Sequence, residues 1–152
     1  MSPEPIVGIA NQIAGPSYSP PSTPAASYFG VAERLMPGLR VLAKEPAGLS
    51  MLLLTTHALE CLLKAFITHH TGDERLVMQS DYRHNLNALW SKAIELGLAT
   101  PAPHWLAYLS DVHDRPYLAR YAKGLDGFLY IDGQEQLSGV EQLTAAIRPT
   151  IK

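Results

Sequence analysis

The feature that most constrains the fold is a long apolar segment, residues 49–70, with one narrow polar stripe. His57, Glu60, Lys64 and Thr68 follow one another at spacings of three, four and four residues, so in a helix they share one face. Apolar side chains cover most of the remaining helix surface. Such a helix has to be surrounded by other helices or by a partner chain, and its stripe is where special chemistry or self-association is expected.

The length indicates one domain, and we expect it to be cytoplasmic. A chain of 152 residues can bury a single core, and its one cysteine, Cys61, cannot form an internal disulfide. We expect Cys61 to be a small buried apolar residue. The N-terminus does not have the pattern of a secretory signal. Charges within the apolar segment argue against a membrane span, and a net charge of −2 gives no general attraction to nucleic acid.

The first 26 residues differ from the rest of the chain because they are rich in proline. We therefore predict an N-terminal arm over residues 1–26 and one helical domain over residues 27–152. The arm is either a disordered leader or a segment that lies across a partner subunit.

Local signals divide the domain into five helical segments. The first begins at Ser27 and is kinked or divided by Pro37, and the central helix ends before Gly72. Residues 73–82 are predicted to be a loop. The clearest amphipathic helix follows over residues 86–96, and another begins near residue 105 and ends before Pro116.

The C-terminal part contains two competing signals. Asp132 and Gly133 separate two short runs and indicate either a hairpin or an irregular loop. Ser138 and Glu141 have the spacing of a capping box, which predicts a last helix of about three turns. The chain is thus predicted to be all-α, and its expected core residues are Leu53, Leu59, Leu63, Phe66, Leu86, Leu89, Trp90, Ala93, Leu109 and Leu143.

Three segments together resemble the HEPN superfamily of small helical domains. They are HALECLLKAFI at 57–67, RHNLNALWSKAIELGL at 83–98 and LARYA at 118–122, and the similarity extends over about residues 30–148. The resemblance implies an up-and-down bundle of four main helices plus a shorter C-terminal helix, paired as a homodimer. Members of the superfamily are metal-independent ribonucleases of toxin and defence systems, or noncatalytic binding domains often encoded beside a nucleotidyltransferase.

The nuclease signature of that superfamily is absent from this chain. The signature is an arginine followed, after four to six residues, by a histidine, and no arginine here has a histidine at that spacing. We therefore assign no catalytic residue, although folding could still bring His113 to Arg115 or Arg120.

The resemblance implies a binding cleft formed by the central helix, the start of the next long helix and the Arg-Tyr segment. The candidate ligand-binding residues are His57, Glu60, Lys64, Arg83, His84, Arg120 and Tyr121. Glu60 and Lys64 could instead be an ordinary surface ion pair. Asn85 or Asp81 could cap the next helix, whereas Arg83 and His84 could bind an anion at its N-terminus. His57 and Glu60 lack further ligands at a diagnostic spacing, so no metal or other cofactor is expected.

The sequence is consistent with three functions. The first is a noncatalytic HEPN-like homodimer that binds a protein partner, a nucleotide or RNA. The second is a divergent metal-independent ribonuclease, and the third is a structural dimer without a ligand.

Overall fold

The computed structural model describes residues 21–114 and 131–151, which form six helices and no strand. The helices are α1 (Pro24–Leu42), α2 (Gly48–Thr71), α3 (Glu74–Met78), α4 (Leu86–Glu95), α5 (Leu106–Asp114) and α6 (Gly133–Ile151). The predicted all-α class is confirmed. Most of the predicted N-terminal arm lies outside the described residues.

Helix α2 is the centre of the domain. It packs against each of the other five helices, and 15 of its 24 residues are buried. Gly72 ends it in the left-handed conformation at φ 68°, as its position in the sequence predicted. By length and composition α2 alone among the described helices could cross a membrane, but 83% of the qualifying segment is buried inside the protein.

The predicted core is confirmed almost entirely. Leu59, Leu63, Phe66, Leu86, Leu89, Trp90, Ala93, Leu109 and Leu143 are all buried. Leu53 is only partly buried, although it packs against the core that the other residues form. Cys61 is buried and free, as expected.

The cap of α1 was predicted four residues too late. Thr23, rather than Ser27, accepts the capping hydrogen bond, from the backbone N–H of Ala26 at 3.1 Å. Pro24 therefore belongs to the first turn of the helix, where its missing N–H costs nothing. Pro37 does not divide the helix, which continues to Leu42.

Two predictions about later segments were wrong in extent. The segment predicted as a loop at 73–82 contains α3, which Asp73 caps. The last helix is not a short one: α6 has 19 residues and begins at Gly133. Asp132 accepts hydrogen bonds from the N–H groups of Gln134 and Glu135, so it caps a helix instead of forming the turn of a hairpin. The Ser138 spacing that suggested a cap lies within α6.

Helix α6 packs on α1 and α2, and it makes two close contacts with the residues just after α1 and just before α5. Gln134 Nε2 donates to the carbonyl oxygen of Ala43 at 3.0 Å, where the absence of a side chain at Gly133 lets the two backbones approach. Farther along α6, Gly139 lies against the buried ring of Trp105. Ion pairs Arg40–Glu141 and Arg148–Glu33 connect α6 to α1 at the surface.

Replacing Gly139 by alanine should destabilise the fold. The new Cβ would lie 2.7 Å from Cζ2 of Trp105, which is too close for two nonbonded carbons, so the helix or the ring has to shift. We expect the free energy of unfolding to fall by about 1–3 kcal/mol in urea denaturation. Gly30→Ala is the matched control, because that helical glycine has open space around it and alanine should stabilise it by about 0.4–1 kcal/mol. Equal effects of the two substitutions would contradict this account of the α6 contact.

Candidate functional site

Glu60 is the centre of a polar cluster inside the apolar bundle. Its carboxylate contacts Lys64 one turn later on α2, His84 in the segment before α4, and His113 near the end of α5. Three separate parts of the chain, brought together by the packing of α4 and α5 on α2, therefore meet at one carboxylate. We call Glu60, Lys64, His84 and His113 the Glu60 cluster.

The two oxygens of Glu60 have different partners. Lys64 Nζ donates to Oε1 at 2.6 Å, whereas His84 Nδ1 lies 3.1 Å from Oε2. His113 Nε2 hydrogen-bonds the same Oε2. Because an ionised carboxylate only accepts hydrogen bonds, each histidine presents an N–H to it.

The Glu60 cluster is buried unevenly. The side chains of Glu60 and Lys64 are 9% and 5% exposed, and that of His113 is 11% exposed, but His84 remains 40% exposed. His84 therefore forms the outer edge of the cluster. Any ligand from solvent meets this side chain first.

The hydrogen bonds keep Glu60 ionised. Burial alone raises the pKa of its carboxyl, but the hydrogen bonds from His113 and Lys64 outweigh that effect and lower the pKa to about 2. The neighbouring Cys61 responds in the opposite direction, because burial and the charge of Glu60 raise the pKa of its thiol to about 12. Cys61 is thus protonated at neutral pH and is not an activated nucleophile.

Tyr28 of α1 lies on the other side of Lys64. Lys64 Nζ is 6.0 Å from the centroid of the Tyr28 ring, and the Tyr28 hydroxyl donates to Glu74 Oε1 at 3.0 Å. Burial and this bond to Glu74 raise the pKa of Tyr28 to about 12. The lysine ammonium is therefore held between an aromatic face and a carboxylate, inside the protein.

The structure brings together only three of the seven residues predicted to form a ligand site. Glu60, Lys64 and His84 are brought together, whereas His57 is exposed on α2 with Nε2 4.0 Å from Cys61 Sγ. Arg83 is exposed. Arg120 and Tyr121 lie outside the described residues, as does Arg115.

Two interpretations of the polar stripe are corrected by burial. Glu60 and Lys64 are not a surface ion pair, and these two side chains are not available to a dimer interface, because both are buried within one chain. His57 of the same stripe is exposed. Thr68, the last residue of the stripe, is also buried, and its hydroxyl has no hydrogen-bond partner among the described residues.

The start of α4 is capped by the protein itself. Asn85 Oδ1 accepts from the N–H of Ala88, and Ser110 Oγ accepts from the N–H of Asn87. These bonds occupy N–H groups that a bound anion would otherwise use. The capping interpretation of Asn85 is confirmed, and an anion near Arg83 and His84 would lack two of the N–H groups that a helix N-terminus offers.

His113 is the residue of the Glu60 cluster that sequence analysis did not include in its ligand site. It follows Glu60 by 53 residues and His84 by 29, so no local spacing connects them. Its signal in the sequence was indirect, a histidine near the end of an amphipathic helix, and we considered it only as a partner of Arg115 or Arg120. Its ring centroid is 5.6 Å from that of His84, and the two rings are nearly perpendicular.

Comparisons with known proteins give no relative for this chain: no family model, no curated protein and no solved structure matches it.

Removing the charge of Lys64 should destabilise the fold strongly. Lys64→Met leaves the Glu60 carboxylate buried without its ammonium partner, for which we expect a loss of about 3–5 kcal/mol in urea denaturation. Adding Glu60→Gln should recover part of the loss, because the amide removes the buried charge and still accepts a hydrogen bond. Lys92→Met, which breaks an exposed pair with Glu95, is the matched control and should have little effect. Similar losses for both lysine variants would contradict the structural role of Lys64.

Proposed function

We propose that the chain is a noncatalytic, HEPN-like helical domain that forms a homodimer and binds a partner through phosphate groups, as a nucleotide or RNA carries them. The observation that supports phosphate binding most directly is that Lys64 neutralises the charge of Glu60 inside the protein, so the carboxylate does not repel an anion at the surface. The outer edge of the Glu60 cluster consists of His84, with the exposed cation Arg83 beside it in the sequence. Such a surface attracts an anion more than a cation.

The noncatalytic part of the proposal rests on sequence and burial together. The arginine and histidine spacing of the superfamily's nucleases is absent. Lys64, whose ammonium could stabilise developing charge on a phosphate, is instead buried against Glu60 and Tyr28. A residue held in this way contributes to stability and not to contact with a substrate.

The homodimer is proposed from apolar side chains that one chain leaves uncovered. Val41 and Leu49 are 63% and 41% exposed, and they lie on the two sides of the turn between α1 and α2. Self-pairing is the commonest way in which a small domain covers such a surface.

A metal-independent ribonuclease is the second candidate. The observation that favours it is the pair of imidazoles oriented by one carboxylate, since a general acid and a general base are commonly held by such hydrogen bonds. In this case His84 and His113 would transfer protons, with Glu60 as a positioning residue.

Short RNA and free nucleotides should bind at low salt and more weakly at physiological salt, because phosphate contacts release counterions. Fluorescence anisotropy with a labelled RNA measures this. Arg83→Ala and His84→Gln should each weaken binding, and Arg83→Ala should also reduce the salt dependence. Lys44→Ala, at an exposed cation in the turn between α1 and α2, is the control and should bind as the parent does.

Two results, one from a cleavage assay and one from that titration, would favour a different function. RNA cleavage in the presence of EDTA, lost in His113→Gln, would support the ribonuclease. If no nucleotide or RNA binds at low salt, or if the Arg83 and His84 variants bind normally, the protein has no phosphate site at this edge and the structural dimer is the better description.

Sedimentation at micromolar concentration should give a dimer. Val41→Ser combined with Leu49→Ser should give a monomer with unchanged helical circular dichroism, because only exposed side chains are altered. Met78→Ser combined with Ile94→Ser removes two other exposed apolar residues and should leave the dimer intact. A monomeric parent chain would contradict the proposed pairing.

A further inference from the structure

Three side chains of the Glu60 cluster can each offer an atom to one metal ion. Donor atoms of Glu60, His84 and His113 all lie within 4.8 Å of one another. They come from α2, from the segment before α4 and from α5, so the packing of the bundle determines their separation. A carboxylate with two imidazoles is also a ligand set that occurs in proteins at zinc sites.

We infer that Glu60, His84 and His113 bind one divalent transition-metal ion, for which Zn²⁺ is the best match. Imidazole nitrogens favour ions such as Zn²⁺, whereas Mg²⁺ and Ca²⁺ require mainly oxygen ligands. Three protein ligands leave one position of a tetrahedral ion open, as in zinc sites that hold a water or a substrate atom.

The distances suit an ion of this size. With ligand bonds of about 2.0–2.2 Å, two neighbouring ligand atoms around a tetrahedral zinc lie about 3.3 Å apart. His84 Nδ1 is 3.1 Å from Glu60 Oε2, close to that separation. His113 Nε2 hydrogen-bonds Oε2, so this pair has to open slightly to admit the ion.

Binding replaces the two N–H hydrogens that point at Oε2. Each neutral imidazole then carries its proton on the outer nitrogen and directs a lone pair toward the ion, and any imidazole that was charged releases a proton. Lys64 does not block this arrangement, because its ammonium occupies the other oxygen, Oε1.

The Glu60 cluster is accessible to an ion from solvent, and its net charge favours an anion as the fourth ligand. His84 is 40% exposed, so an ion can enter from its side of the cluster. Glu60 and Lys64 neutralise each other, and the ion therefore adds two positive charges. An anion, such as hydroxide or a phosphate oxygen, is the expected fourth ligand.

This inference does not rest on the proposed function, because ion binding can be measured without any nucleotide. The chain is prepared without a histidine tag, stripped with EDTA, dialysed and titrated with Zn²⁺ in a calorimeter. We expect one ion per chain and a higher melting temperature in excess Zn²⁺. Co²⁺ should give the visible absorption of a tetrahedral site with nitrogen and oxygen ligands.

Glutamine variants separate ion binding from the packing of the cluster. In His113→Gln and His84→Gln the amide can still donate a hydrogen bond to Glu60, but it is a poor zinc ligand. Losing a residue that only hydrogen-bonds a zinc ligand typically weakens metal binding by roughly 10- to 100-fold. Because each variant removes a ligand itself, we expect a larger loss of Zn²⁺ affinity. His104→Gln and His69→Gln change exposed histidines elsewhere and should bind Zn²⁺ as the parent does.

The inference is overturned if the folded parent chain binds no Zn²⁺ at millimolar concentration. It is equally overturned if His84→Gln and His113→Gln, folded by circular dichroism, bind Zn²⁺ as tightly as the parent. In either case the Glu60 cluster is a hydrogen-bonded network only, and the phosphate titration still decides the proposed function independently.

Discussion

The buried carboxylate of Glu60 is the constraint on which the arrangement of this bundle depends. A charge inside an apolar core is tolerated only when it is paired and hydrogen-bonded. Glu60 meets this requirement with Lys64 on its own helix and with His84 and His113 from two other parts of the chain. The positions of α4 and α5 relative to α2 are therefore fixed by specific hydrogen bonds as well as by apolar packing.

Outside the Glu60 cluster, the helices are held together by apolar packing. Helix α2 contacts all five other described helices, and the residues around its stripe form one continuous core. Replacing an ion pair by apolar residues is often neutral or stabilising in protein cores, so burial of Glu60 and Lys64 is not explained by stability alone. This buried ion pair, with the half-exposed His84 at its edge, is the physical reason for assigning a function to this part of the surface.

The sequence predicted individual helices well where the signal was local. The apolar periodicity and Gly72 defined α2, and Asn85 with the following apolar series defined α4. It failed where two local signals competed. Ser138 and Glu141 have a capping-box spacing, but Asp132 caps the helix earlier, and packing of Gly133 against Ala43 stabilises the longer α6. Pro24 was assigned to the arm for its composition, although proline is favourable in the first turn of a helix.

The sequence by itself determined the helical class, the central helix and most core residues, because these follow from the repeat of apolar side chains every three to four positions. It also placed Glu60 and Lys64 on one helix face. Only the tertiary structure decided that this face is buried and that His84 and His113 meet Glu60. These contacts join residues 24 and 53 positions apart in the chain, and such separations leave no periodic pattern, since they depend on how whole helices pack.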